Sequence, residues 1–420
     1  MSEIINILEK YNFWNNEKID TGFYREFYLK KIDNFTGNKL IKVILGQRRV
    51  GKSYILRMII NNLINKNKVS RKNILCLNMD IFELKFIRNS EILNRVINEY
   101  IKEFNPKGKI FLFVDDVQEI EQWEKIINSL SQDYKRDFEI FITGSNANLL
   151  STELSTYLSG RYITINILPF DYNEFLEYFK LKRNKESFLK YLKMGGLPEL
   201  YKLNDESLRY NYITNLKDSI ILKDIVQRFG VRNIRLLERL FEYLIDTIGT
   251  TFSTNSIVKH LKSNGYSVNH ELIDNYIKYI TMSYSIHEVK RYDIQGKKIL
   301  TGEKKYYVND IVFKNYISSS IDYQIGKILE NIVYLSLIKR GYNVFIGKLR
   351  NKEVDFIAEN NEEKIYIQVT YVLADKSVID REFGNLKSIR DNYKKIVLSM
   401  DDLLLGNIDG IEHKRIYDFL

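Results

Sequence analysis

Gly46, Gly51, Lys52 and Ser53 stand at the spacing Gly-x-x-x-x-Gly-Lys-Ser, with Gln47, Arg48, Arg49 and Val50 between the glycines. The run is preceded by apolar Ile41–Leu45 and followed by a helical apolar pattern at Ile55, Met58, Ile59 and Leu63. This is a Walker A loop in a strand–loop–helix context. A phosphate chain needs backbone N–H groups turned inward without Cβ interference, which glycine permits, and a helix N-terminus whose dipole favours an anion. Lys52 supplies a point charge to the outer phosphates and Ser53 a hydroxyl to Mg²⁺. All eight residues from Gly46 to Ser53 are therefore candidate ATP-binding residues.

A second candidate lies at Val114-Asp115-Asp116, where the apolar run Lys109–Val114 delivers carboxylates to a strand end. Asp115 is the candidate Mg²⁺ carboxylate beside Ser53. Asp116 takes the place of a residue that would polarise the attacking water, but it is one methylene shorter than the usual glutamate, so hydrolysis is expected to be slow or to need an extra water. Two solvated aspartates at a strand end are the alternative. Thr143-Gly144-Ser145-Asn146 follows another strand pattern, and Asn146 is the candidate sensor between phosphate loop and water. A turn would use the same residues. Arg161, after Leu158-Ser159-Gly160, reads either as an arginine that stabilises phosphoryl charge in its own subunit or a neighbour's, or as half of a surface ion pair. The first of these leaves a homo-oligomer open.

Short apolar runs at Asn73–Asn78, Lys109–Val114, Glu139–Thr143 and Tyr162–Ile167 alternate with helical patterns such as Ser90–Phe104 and Trp123–Leu130. Such alternation predicts an α/β domain with a mainly parallel sheet covered on both faces. Residues before about Asn38 read as helical, with Trp14, Phe23, Tyr24, Phe27 and Tyr28 better placed in a core than against a base.

The chain of 420 residues has room for two or three domains. With 45% hydrophobic and 28% charged residues it reads as globular, and no apolar run approaches the ~20 residues of a spanning helix. The start, Met-Ser-Glu-Ile-Ile-Asn, carries no basic stretch followed by a small-residue cleavage site, so a cytoplasmic protein without a membrane partner is expected. Cys76 is the one cysteine, which excludes an internal disulfide, and the four histidines lack metal-ligand spacing. A net charge of +10 suits a polyanionic partner, although an abundance of Lys, Asn and Ile beside three prolines also fits a solvated lysine-rich surface.

Together, Gly46–Ser53, Asp115-Asp116-Val117-Gln118, Thr143–Asn146, Leu158–Tyr162, Leu168-Pro169-Phe170 and Gly195-Gly196-Leu197-Pro198 resemble the prokaryotic AAA-type ATP-binding proteins that carry a C-terminal domain of unknown function. The resemblance spans essentially the whole chain. It implies an AAA-type P-loop domain over residues 1–172, a helical lid over 173–245, a winged-helix-like domain over 246–316, and a small restriction-endonuclease-like domain over 317–420. It further implies that Pro198, in a Gly-x-Pro turn, approaches the adenine. That family usually has Asp-Glu where this chain has Asp115-Asp116.

Two helical patterns, Ser253–Leu261 and His270–Met282, are joined by a segment in which Gly265 suits the turn and Asn269 a helix cap. A hairpin pattern, Ile286–Tyr292 and Lys298–Val308, completes a winged-helix layout. Lys290, Arg291, Lys297, Lys298, Lys304 and Lys305 concentrate on that hairpin, and Lys297, Lys298, Lys304 and Lys305 are the candidate nucleic-acid contacts. Glu271 and Asp274 on the second helix would repel phosphates, so a protein partner is the competing reading. In the last hundred residues, Glu330, Asp355 and Gln368-Val369-Thr370 fall where a PD-(D/E)XK nuclease would place its helix carboxylate, metal aspartate and Glu-x-Lys pair. Gln368 is a neutral amide and Thr370 cannot replace the lysine, so a non-catalytic, vestigial site is expected, with Lys364 or Lys352 as the residues that could restore the missing charge.

The expectation is thus an ATPase or ATP-driven switch using Mg-ATP, with an output module for nucleic acid or protein. An ATP-regulated nuclease and a nucleotide-binding interaction protein of negligible turnover are the alternatives.

Overall fold

The computed structural model describes residues 3–150, 158, 160–318 and 324–420, with only the backbone of Asn148 and Leu150. Ser159 of the Leu158–Tyr162 motif lies outside the described residues. The chain divides into two compact units, Met1–Ile167 and Leu168–Leu420.

In the first unit the strands are β1 (Ile41–Leu45), β2 (Ile74–Asn78), β3 (Ile110–Asp115), β4 (Phe138–Gly144) and β5 (Tyr162–Asn166). They form one sheet in the order β2-β3-β4-β1-β5. Every pairing is parallel. Burial on both faces explains why β1, β3 and β4 are buried at every position. The crossovers include helices Lys52–Asn65, Ser90–Phe104 and Trp123–Ser131. Because β1 lies between β4 and β5 and β3 flanks β4, the carboxyl ends of β1, β3 and β4 share one edge, the position where ligands bind in open α/β sheets. At the opposite end Lys42 and Glu139, both fully buried, pair with each other; Lys109 and the Gly37 amide complete the shell around Glu139.

The second unit begins with helices, from Tyr172–Phe179, whose Asp171 and Glu174 form a capping box, to Ile234–Asp246. One stretch, Ile220–Val226, is π-helical and continues the helix Glu206–Ser219. Helices Thr254–Ser263 and His270–Met282 follow, the latter capped by Asn269, which accepts from the Leu272 amide at 2.8 Å. The remaining strands are β6 (Ile286–Asp293), β7 (Lys298–Val308), β8 (Asn343–Leu349), β9 (Lys352–Glu359), β10 (Lys364–Val369), β11 (Lys394–Ser399), β12 (Asn407–Ile408) and β13 (Ile411–Arg415). All eight belong to one mixed sheet, ordered β12-β13-β11-β10-β9-β8-β6-β7.

That sheet runs across the expected boundary at 316/317. The β6–β7 hairpin is not a free wing, because β6 pairs in parallel with β8 through Arg291↔Ile346, Tyr292↔Gly347 and Asp293↔Lys348. The sheet packs helix Ile325–Lys339 against its strands, with Leu329, Val333 and Leu337 fully buried. A second layer, with Phe383 and Leu386, covers Val354, Tyr366 and Val397. Among the described residues no helix is long and apolar enough to cross a membrane.

Candidate functional site

The loop after β1 is shaped by its glycines. Gly46 has φ +152°, and a Cβ there would fall 2.3 Å from the Ile167 carbonyl oxygen, so only glycine lets the loop leave the sheet at this point. Gly51 has φ 96° and precedes the helix Lys52–Asn65 directly. Between them Gln47 and Val50 are buried, Arg48 is half-buried, and Arg49 is exposed with φ 71°. Lys52 is 7% exposed and its ammonium donates to the carbonyls of Gly46 and Gln47, both at 3.0 Å, so it curls back over its own loop.

Asp115 ends β3 and is 4% exposed. Its carboxyl is pushed above the usual aspartate range, first by burial and then by the charge of Asp116, while hydroxyl hydrogen bonds from Ser53 and Thr143 and the Lys52 charge oppose that shift. The Thr143 hydroxyl lies 2.5 Å from Asp115 Oδ1 and also accepts the Asp116 amide at 2.8 Å. Ser53, Asp115, Asp116 and Thr143 therefore form one polar cluster at the carboxyl ends of adjacent strands. Asp116 sits in the left-handed region (φ 55°, ψ 50°), and Gln118 Nε2 donates to its Oδ1 at 2.8 Å. Asn146 is fully buried just beyond β4, and its carbonyl accepts the Leu149 amide. Arg161 is exposed, with its backbone joined to Leu158 and Ile41.

Thr143 and Gln118 were legible only as parts of motifs; their roles come from contacts. The signal available for Thr143 was its place at the end of a strand that follows the Asp115 strand. The cradle that a Cβ would obstruct, the ammonium at its rim and an all-oxygen donor pair, Ser53 hydroxyl and Asp115 carboxylate, fit a polyphosphate with a hard divalent cation such as Mg²⁺.

Pro198 lies in the second unit, where it opens the short 3-10 helix Pro198–Lys202. The paired glycines before it have a packing reason of their own. Gly196 donates its amide to buried Asp310 at 2.8 Å, and a Cβ on Gly195 would meet Asp310 and Val312 at 2.3 and 2.2 Å.

The second unit brings Glu330 and Asp355 together, and with them a residue assigned by the sequence to another task. Lys305 is 1% exposed, with its ammonium 3.2 Å from Glu330, 2.7 Å from Glu353 and 4.0 Å from Asp355. On β7 the Lys305 side chain is thus buried in the sheet-and-helix core, unlike the exposed position that the expected nucleic-acid contact needs. Lys304 is tied to Glu288 at 2.9 Å, whereas Lys297 and Lys298 are exposed at the hairpin tip. Neither Lys364, stacked over Tyr292 and paired with Glu359, nor Lys352, bound to Gly384 and Ser388, joins the cluster. Glu330 also accepts from Tyr307 at 3.2 Å and Lys327 at 2.7 Å. Asp355 accepts the Val369 amide at 2.8 Å, and Gln368 Oε1 accepts the Asp355 amide at 3.4 Å. Burial, then the Glu330 charge, push Asp355 up to about 8. Among the described residues no group of three or more His, Cys, Asp or Glu side chains converges to hold a metal ion.

Residues 38–176 match the family model described as an AAA domain, and residues 185–322 match one described as a domain of unknown function (DUF8612). An uncharacterised protein of Haemophilus influenzae is 35% identical over 400 residues, covering 94% of this chain and 98% of the relative. An uncharacterised protein of Methanocaldococcus jannaschii is 32% identical over 410 residues, covering 93% and 88%. Among solved structures, a Walker-type ATPase of Pyrococcus abyssi aligns with a TM-score of 0.45 at 16% identity, covering 70% of this chain and 96% of that one. The chain thus belongs to the same family as the Haemophilus and Methanocaldococcus proteins, and carries an AAA domain over residues 38–176.

Proposed function

We propose that the first unit binds Mg-ATP and hydrolyses it slowly, as a switch for an output module in the second unit that engages nucleic acid or a protein. The observation that carries this reading is the convergence of Lys52, Ser53, Asp115 and Thr143 on the edge of the sheet where the glycine loop ends. On binding, Lys52 exchanges the Gly46 and Gln47 carbonyls for outer phosphate oxygens. Ser53 and Asp115 would hold Mg²⁺, whose charge would neutralise phosphate oxygens and favour the ionised form of Asp115. Asp116 orients or deprotonates the water, Asn146 lies close enough in sequence to Thr143 to assist, and Arg161, exposed, is free to act in its own subunit or on a neighbouring copy.

A second reading, a nucleotide-binding switch of negligible turnover, is favoured by one contact: Gln118 occupies an oxygen of the already short Asp116 carboxylate. A phosphate-release assay with and without DNA or RNA, beside a binding measurement, separates the two. Binding without release supports the second reading, and binding with release the first; absence of binding removes both.

For the second unit we propose a binding module without nuclease activity. The ammonium of Lys305 already compensates Glu330 and Glu353, and the Gln368 amide is engaged by the strand beside it. Mg²⁺- or Mn²⁺-dependent nicking of supercoiled plasmid that is lost in both Asp355→Ala and Glu330→Ala would establish the ATP-regulated nuclease instead.

A further inference from the structure

We propose that Arg25 is a positioning residue for the phosphate loop, acting through the carbonyl of Val50. Arg25 stands at the N-terminal boundary of helix Glu26–Asp33, well before the loop in sequence, yet its Nη1 donates to the Val50 carbonyl at 3.1 Å. The side chain is 2% exposed, and its guanidinium lies 4.5 Å from the ring centroid of Tyr28, itself 2% exposed. The guanidinium is thereby confined on one side by an aromatic face and spends a directional donor on a loop carbonyl.

The consequence follows from peptide geometry. In a planar trans peptide the carbonyl and the next N–H point in opposite directions. Pinning the Val50 carbonyl therefore fixes the direction of the Gly51 N–H, the last amide before the helix that begins at Lys52. Gly51 needs such an anchor. It has φ 96°, and a Cβ built there meets nothing within 4 Å, so no side chain of its own restrains its backbone. The anchor is itself tied down, because Gly22 packs against the Tyr54 ring and the Tyr24 hydroxyl meets Asn62 Nδ2 at 3.1 Å and Lys66 Nζ at 3.2 Å. Residues 22–28 thus join the loop and the helix after it into one brace. The restraint stands on geometry alone; its importance for ATP rests on the function proposed above.

The test uses full-length protein without nucleotide, followed by hydrogen exchange, and compares wild type with Arg25→Gln and Arg25→Lys. Arg25→Gln is expected to speed exchange of the amides across residues 46–52 while β3 and β4 remain protected, and to weaken Mg-ATP binding about ten-fold, the effect of losing one charge-assisted hydrogen bond. Arg25→Lys, which keeps a cation and a donor, is expected to recover part of both. Unchanged exchange over residues 46–52 in Arg25→Gln would overturn the proposal. So would faster exchange across β1, β3 and β4 alike in both variants, which would make Arg25 a general core residue. If exchange changes as expected but wild type binds no Mg-ATP, the brace stands and the nucleotide reading falls.

Discussion

The ammonium of Lys305 lies 3.2 Å from the carboxylate of Glu330, bringing a residue of β7 to the buried face of helix Ile325–Lys339. Both side chains are nearly inaccessible to water. Desolvated charges are costly unless each finds a partner, and here Glu353, Lys327 and Tyr307 complete the set. Lys305 is held firmly in its charged form by Glu330, Asp355 and Glu353, against the pull of burial.

Removing this cation without replacing the charge is therefore expected to damage the second unit. Lys305→Met removes the most deeply buried cation of the cluster and leaves Glu330 to Lys327 and Glu353 to Arg291, so it should cost about 3 kcal/mol, the lower end of the range for breaking a buried pair from one side. The double replacement Lys297→Gln and Lys298→Gln, at exposed positions, should change stability by less than ~0.5 kcal/mol. Denaturant titration of the three proteins checks this; equal midpoints for Lys305→Met and wild type would show that the cluster is not a structural ion network.

The same cluster sets a pH dependence. Asp355 is raised from its ordinary 3.8 to about 8, so between those values the folded protein holds a proton that the unfolded chain has lost. Its contribution to stability is therefore fully present below 3.8 and falls as pH rises toward 8, then levels off. Asp355→Asn keeps an acceptor for the Val369 amide but cannot ionise. The variant should gain stability relative to wild type on going from pH 5 to pH 8, read as the difference in urea midpoint. Parallel pH profiles for the two proteins would sink this assignment.

The difference between what the sequence discloses and what it hides is physical. The strand–loop–helix around Gly46–Ser53 is contiguous, so its glycines and apolar flanks reveal it locally, and the alternation of buried runs with helical patterns reveals the parallel sheet. The environment of Lys305 depends on partners 25 to 50 residues away on other elements, and its lysine neighbours on the hairpin suggested a surface. The joining of β6 to β8 requires a parallel pairing across β7 and the helices Val312–Ile317 and Ile325–Lys339, which no local pattern encodes. One omission was avoidable. Asp409-Gly410, both with positive φ, is a two-residue hairpin signal between β12 and β13, and it marks the short edge of the sheet beyond β11.

At the nucleotide site, Lys52 and Asp115 should separate binding from metal use. Lys52→Ala removes the ammonium at the loop's helix end and should lower Mg-ATP affinity at least ten-fold. Asp115→Asn keeps the hydrogen bond to Thr143 and removes the metal's anionic ligand, so it should spare much of the binding while abolishing Mg²⁺-dependent hydrolysis. Equal nucleotide affinity in wild type and Lys52→Ala would remove the phosphate-loop reading.

The last test concerns the two carboxylates in sequence. Asp115 is buried and linked to Ser53 and Thr143, whereas Asp116 has a left-handed backbone and its carboxylate is met by Gln118. The two neighbours thus have different surroundings, which suits the proposed division of the first to the cation and the second to the water. A carboxylate one methylene short, with one oxygen engaged by an amide, is a poor base. Gln118→Leu frees that oxygen and should raise hydrolysis two- to ten-fold, on the order of the ~1 kcal/mol of a single hydrogen bond. Asp116→Glu should raise hydrolysis or leave it unchanged, and Asp116→Asn should lower it, with Mg-ATP affinity unaltered in both. Single-turnover hydrolysis measured beside nucleotide affinity distinguishes these effects. If Asp116→Asn turns over at the wild-type rate, Asp116 is not the base, and the Gln118 contact is a structural tie of the turn after β3.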